Sequence, residues 1–170
     1  IELEPDPRHA ELFCRQLGII PGKTKSVVTP GEKSSSYHDD RPLESKDQIA
    51  TYRSACMRLG FLAVDSPHLQ FAANKACKHM ANPCVGGWNR LKRVARFLVG
   101  QPRHVQVFKL QENPGKLVMK VDSDFGGDLI DRKSTSASYL FYGQHLLRSA
   151  TSTQTVIALS SGEAEFAALV

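Results

Sequence analysis

Apolar positions along this chain keep two different periods, and the change from one to the other falls near residue 105. Before that point the spacing is helical. Asp6 suits an N-cap and Pro7 the first helical position; Ala10, Phe13, Cys14 and Leu17 follow at i, i+3, i+4 and i+7. Gly18 marks the stop, so residues 1–20 predict a strand end followed by a helix. Residues 21–46 lose all periodicity and are rich in Lys, Ser, Pro and Gly, which predicts a linker. Residues 47–99 regain it as three helices. The first, from Asp47, aligns Ile49, Tyr52, Cys56 and Leu59. The second has Ser66 as cap and Pro67 in the first turn, then Leu69, Ala72, Ala73, Ala76 and Met80. The third aligns Trp88, Leu91, Ala95 and Leu98 and leaves Arg90, Lys92, Arg93 and Arg96 on the opposite face.

Beyond residue 105 the period is two. Val105 to Leu110 alternates, and Glu112-Asn113-Pro114-Gly115 turns the chain. Residues 117–121 predict a strand, and 136–142 with 145–149 a hairpin around Gly143-Gln144. Residues 155–159 then lead into a helix announced by Ser160, Ser161 and Glu163. Ser160 and Glu163 have capping-box spacing, which gives Glu163 a purely local job; Glu165 has none and is free to face a strand end.

Composition leaves that outline intact. A chain of 170 residues, 41% apolar and 23% charged, is ordinary globular material for one domain or two small ones. Charge adds something. A net +5 and a pI near 9.1 suit a polyanionic partner. The basic face of the third helix, which Lys75, Lys78, Arg103 and His104 would extend, reads by itself as solvated surface and, beside a nuclease-like site, as a candidate track for nucleic-acid phosphates: arginine grips phosphate bidentately and releases counterions. The register of Trp88 with Leu91 and Ala95 predicts core packing rather than base stacking. Cys14, Cys56, Cys77 and Cys84 show no CxxC spacing, which predicts buried or idle thiols in a reducing compartment. No stretch reaches the roughly 18 apolar residues of a membrane span, and no basic-then-apolar leader opens the chain, so no membrane partner is expected.

The candidate chemistry lies at Asp122, delivered at the end of the apolar run Leu117-Val118-Met119-Lys120-Val121, and at the helix of Glu165. A carboxylate at a strand end and another in the first turns of a helix supply the hard oxygen donors that a divalent cation requires. Asp124, two residues from Asp122, falls on the same face of an extended strand and is a weaker ligand candidate. Asp128 and Asp131 read as loop acids. Tyr37-His38-Asp39-Asp40 imitates a polymerase YxDD box, but its flanks, Ser34-Ser35-Ser36 and Arg41-Pro42, are turn chemistry.

The runs Val-Asp-Ser-Asp-Phe-Gly-Gly-Asp (121–128), Asp-Arg-Lys-Ser-Thr-Ser (131–136) and Ala-Leu-Ser-Ser-Gly-Glu-Ala-Glu-Phe (158–166) resemble, in order, the ribonuclease H region of copia-type retrotransposon polyproteins. Upstream, Asp6-Pro7-Arg8-His9-Ala10-Glu11, Thr29-Pro30-Gly31 and Tyr52-Arg53-Ser54 resemble the end of the reverse transcriptase and its link to ribonuclease H. The resemblance implies an α+β fold: a helical connecting region, then an incomplete ribonuclease H-like mixed sheet with its first helix. It divides the chain into a reverse transcriptase end (1–20), a linker (21–46), a helical connection (47–104) and a truncated ribonuclease H-like part (105–170). It implies Asp122 and Glu165 as catalytic and metal-binding acids. The cofactor is Mg2+, in a two-ion site expected only in the complete domain. Two ions about 4 Å apart would activate the water and stabilise the leaving oxygen. The implied partners are an RNA–DNA hybrid and the rest of the polyprotein, in a cytoplasmic particle or the nucleus.

Departures from the pattern qualify this. The family carries further acids downstream of the first helix, beyond Val170 here, so the expectation is a fragment that is inactive alone. Ala137 stands where a glycine is usual, and 146–149 lack the usual aromatic. Two readings from other classes stay open: a non-catalytic nucleic-acid-binding module, and a helical scaffold that touches no substrate.

Overall fold

The computed structural model describes residues 1–31, 35–128 and 130–170 and divides them into two compact units. The first, Glu2–Val107, is helical. Helix α1 (Pro7–Gln16) starts as its sequence dictates: the Asp6 carboxylate accepts from the Arg8 amide at 3.0 Å and from its guanidinium at 2.6 Å. It ends at Gly18 with φ +70°, which no β-carbon obstructs. There the Ile19 amide donates to the Cys14 carbonyl and the Gly18 amide to that of Arg15, a Schellman closure. Helix α2 (Lys46–Val64) is capped by Ser45, whose hydroxyl accepts from the Gln48 amide. Helix α3 (Pro67–Cys77) follows Ser66, which occupies the cap position but makes no capping bond and is buried instead. Met80, placed by its period on this helix, lies past its end, half-buried against the core.

Helix α4 (Val85–Gly100) is capped by the Cys84 thiol, which accepts from the Gly87 amide at 3.4 Å. Its paired glycines permit two close approaches. A β-carbon at Gly86 would stand 2.5 Å from the Tyr37 carbonyl oxygen, and one at Gly87 2.6 Å from the Tyr52 hydroxyl. The core of the unit is Phe13, Tyr52, Cys56, Leu59, Leu69, Leu91 and Val94, drawn from all four helices and almost wholly inaccessible to water. Each such side chain contributes about 1.5–3 kcal/mol on burial. The alternation at 105–110 yields only a two-residue strand, β2 (Gln106–Val107), antiparallel to β1 (Glu2–Leu3).

The second unit, Phe108–Val170 with Ile1, is an antiparallel meander. Strands β3 (Leu117–Asp124), β4 (Thr135–Tyr142) and β5 (His145–Thr153) lie in the order β3-β4-β5. Gly143, at φ +60°, makes the two-residue turn. A bulge between Leu140 and Phe141 leaves Leu147 unpaired on β5. Helix α5 (Ser161–Leu169) packs on β3 and β4. Both β3 and β5 run longer than their hydrophobic patterns predict, because ladder pairing with β4 carries polar residues such as Ser123 and Thr151 into the sheet. The whole is α+β, consistent with part of a ribonuclease H-like fold.

Candidate functional site

The β3–α5 junction is organised by a residue that no motif or period singles out. Gln154, buried just after β5, directs its side-chain amide nitrogen at three acceptors: the Ser123 hydroxyl at 3.3 Å, that of Ser136 at 3.0 Å, and the Ala164 carbonyl of α5 at 2.7 Å. Ser123 and Ser136 are direct cross-strand partners, so one amide ties β3 and β4 to the first turn of α5. Its own backbone amide donates to the Ser134 carbonyl at 2.9 Å. No period marks Gln154; only its position, polar and buried between a strand and a cap, distinguishes it. At the start of α5 the Ser160 hydroxyl accepts from the Glu163 amide at 3.1 Å, and the Glu163 carboxylate accepts from the Leu159 amide at 2.7 Å. Glu163 has the local role its spacing predicts, reached one residue earlier than in the standard box.

The predicted metal ligands stand around this hub. Asp122 is exposed on β3 opposite Ala137, and Glu165 is exposed in α5 one residue beyond the buried Ala164. The Ser123–Ser136 pair faces α5, so strand alternation assigns Asp122 and Asp124 to the other face of the sheet. Asp124 is committed locally: its carboxylate accepts from the Thr135 amide and lies so close to Gly127 that a β-carbon there would collide with it. The loop acids are committed too. The Asp128 carboxylate accepts from the Ile130 amide at 3.0 Å and Asp131 from that of Lys133 at 3.0 Å. Among the described residues no three His, Cys, Asp or Glu side chains gather closely enough to hold a metal ion. Two exposed carboxylates do not make a magnesium site, which needs near-octahedral oxygen ligation.

The basic face of α4 serves a purpose that helical periodicity could not reveal. It is where the linker lies. The Arg93 guanidinium donates to the Thr29 carbonyl at 3.1 Å and hydroxyl at 3.0 Å, and that of Arg96 to the Lys25 carbonyl at 2.9 Å. Arg90 reaches the Tyr37 carbonyl at 3.5 Å and stacks 4.9 Å from its ring centroid. All three arginines are half-buried, whereas Lys92 stays exposed above Trp88, which packs on the core. Lys75 is buried near the Phe71 ring rather than extending the patch, and Lys78 is exposed. The YxDD imitation is a turn: Tyr37 is buried beneath Arg90, and Asp39 pairs with Arg41 at 2.6 Å.

The ordered motifs, the meander and its helix define a piece of a retroelement polyprotein. The chain belongs to the copia-like, retrovirus-related Pol polyproteins. It is 34% identical over 84% of its length to the Retrovirus-related Pol polyprotein from transposon RE2 of Arabidopsis thaliana. It is 28% identical over 92% of its length to that from transposon RE1 of the same plant. The Uncharacterized mitochondrial protein AtMg00810, also from Arabidopsis thaliana, is 26% identical over 95% of the chain. The chain spans 10% of the length of each polyprotein and 65% of the mitochondrial protein. No protein-family model and no solved structure matches it. Among the described residues no helix is long and apolar enough to cross a membrane.

Proposed function

We propose that this chain is the part of a Pol polyprotein that joins the end of a reverse transcriptase to the opening of a ribonuclease H-like domain. The parent activities are RNA-directed DNA synthesis and metal-dependent hydrolysis of RNA in RNA–DNA hybrids. The observation that carries this reading is the Gln154 junction, which braces the strand of Asp122 against the helix of Glu165. Asp122 and Glu165 are this chain's contribution to the site, and the magnesium needs further donors from the longer polyprotein.

The test uses a polyprotein extended beyond Val170, assayed for magnesium-dependent cleavage of RNA in a hybrid. Asp122→Asn and Glu165→Gln should each lower the rate by about 10²-fold or more, the scale of losing one electrostatic stabiliser at a reacting centre. Cleavage surviving both changes would refute the assignment.

A second reading is favoured by the α4 arginines, which hold the linker: the helical unit acts as an interdomain scaffold. Hybrid binding through Arg90, Lys92, Arg93 and Arg96 separates the two. Binding by this face predicts an affinity that falls steeply with salt, and Lys92→Ala, which spares the linker contacts, should reduce the slope by about one phosphate contact. A scaffold shows no such dependence.

A further inference from the structure

Two of the four cysteines lie against each other across the α2–α3 contact. The Cys56 thiol donates to the Ala76 carbonyl at 3.8 Å, and the Cys77 thiol to the Cys56 carbonyl at 3.7 Å. Each sulfur therefore rests on the backbone of the other's helical turn. Ala72, Ala73 and Ala76 are all buried, and side chains this small let α3 come close to its neighbours. Cys56 is fully inaccessible, whereas Cys77 is half-buried.

We propose that Cys56 and Cys77 are a reversible redox pair, oxidised by a low-molecular-weight disulfide such as oxidised glutathione to a bond that staples α2 to α3. Cys77 is the attacking sulfur. It is the less buried member, and interaction with the Cys56 thiol holds its pKa below that of an ordinary thiol, while the same interaction and burial push Cys56 up. The Cys77 thiolate attacks one sulfur of the reagent, whose S–S bond breaks; a mixed disulfide forms and one glutathione thiolate leaves, taking up the proton that Cys77 lost. Cys56 then surrenders its proton to water as its sulfur attacks Cys77, and the second glutathione departs and is protonated. Two protein thiols and one small disulfide become one protein disulfide and two small thiols, and two electrons leave the protein.

The other cysteines serve as internal controls. Burial pushes the Cys14 thiol up to about 11, and it donates to the Ala95 carbonyl at 3.4 Å. Cys84 is buried at the α4 cap.

The test treats the folded chain with oxidised glutathione, blocks the remaining thiols and maps tryptic peptides without reduction. The expected product joins the peptide 54–58, Ser-Ala-Cys-Met-Arg, to the peptide 76–78, Ala-Cys-Lys, with Cys14 and Cys84 blocked as free thiols. Cys56→Ser should stop at a stable glutathione adduct on Cys77, and Cys77→Ala, at a half-exposed position that spares the core, should take up no glutathione. Dithiothreitol should restore all four thiols. A wild-type protein that stops at the same Cys77 adduct as Cys56→Ser overturns the pair, and so does a native protein in which neither cysteine reacts.

Discussion

The two units bury opposite kinds of residue. In the helical unit the inaccessible side chains are large and apolar: Phe13, Tyr52, Leu59, Leu91 and Val94 all have no measurable exposure. In the sheet unit the inaccessible side chains are small or polar. Ser134, Thr135 and Gln154 are buried with Ala158 and Ala164, while Leu117, Met119, Phe166 and Leu169 remain 59–67% exposed. The first unit is held by area removed from water. The second is held by ladder hydrogen bonds and by one glutamine amide, with its apolar face largely uncovered. A three-stranded sheet is near the lower limit of independent stability, so the two units should answer very differently to the same kind of mutation.

The largest contrast should come from truncating apolar side chains. Leu91→Ala should cost about 2–5 kcal/mol, read from urea unfolding by the fluorescence of Trp88, the only tryptophan. Met119→Ala, at a side chain 62% exposed, should change stability by no more than about 0.5 kcal/mol. Similar costs at both positions would break the comparison. The sheet unit should instead be sensitive to a polar change. Gln154→Ala leaves the Ala164 carbonyl and two serine hydroxyls short of a donor, and should cost about 1–3 kcal/mol. Faster amide exchange at Val121 and Ser123, with the Trp88 transition unmoved, is the expected signature. A loss shared equally by both units would contradict it.

The smallest expected effect is a dependence on pH confined to the helical unit. Desolvation, followed by the neighbouring His104 ring 4.5 Å away, lowers the pKa of His68 from 6.5. The unfolded chain therefore binds the proton more readily than the folded one as pH drops through 6.5, and stability falls in that direction. The urea midpoint should decline from about pH 7.5 to about 5.5, and His68→Gln should flatten that decline. An unchanged slope would remove His68 from the account.

What the sequence disclosed were the features settled within a few residues. Asp6, Pro7 and Gly18 bracket α1, Ser160 and Glu163 start α5, and Gly143 turns the hairpin, because caps and turns are local bargains between a side chain and nearby amides. Strand lengths were less legible, since Ser123, Asp124 and Thr151–Thr153 carry no apolar alternation and are drawn in by β4. The destination of the linker was not legible at all. Arg93 and Arg96 find their acceptors 64 and 71 residues away, and a cationic face facing water has the same spelling as one that grips carbonyls. At the candidate site the Gln154 bridge and the commitment of Asp124 to Thr135 depend on tertiary neighbours, which no local pattern records.

The clasping arginines recur every third residue along α4, so the helix acts as a ruler for the strand of chain laid across it. One residue inserted between Arg90 and Arg96 would turn every clasp beyond it by about 100° and shift it 1.5 Å along the axis. Copies of this element can therefore exchange one long side chain for another on this face, but a change in its length disengages Lys25 and Thr29 from their anchors and sets the segment adrift.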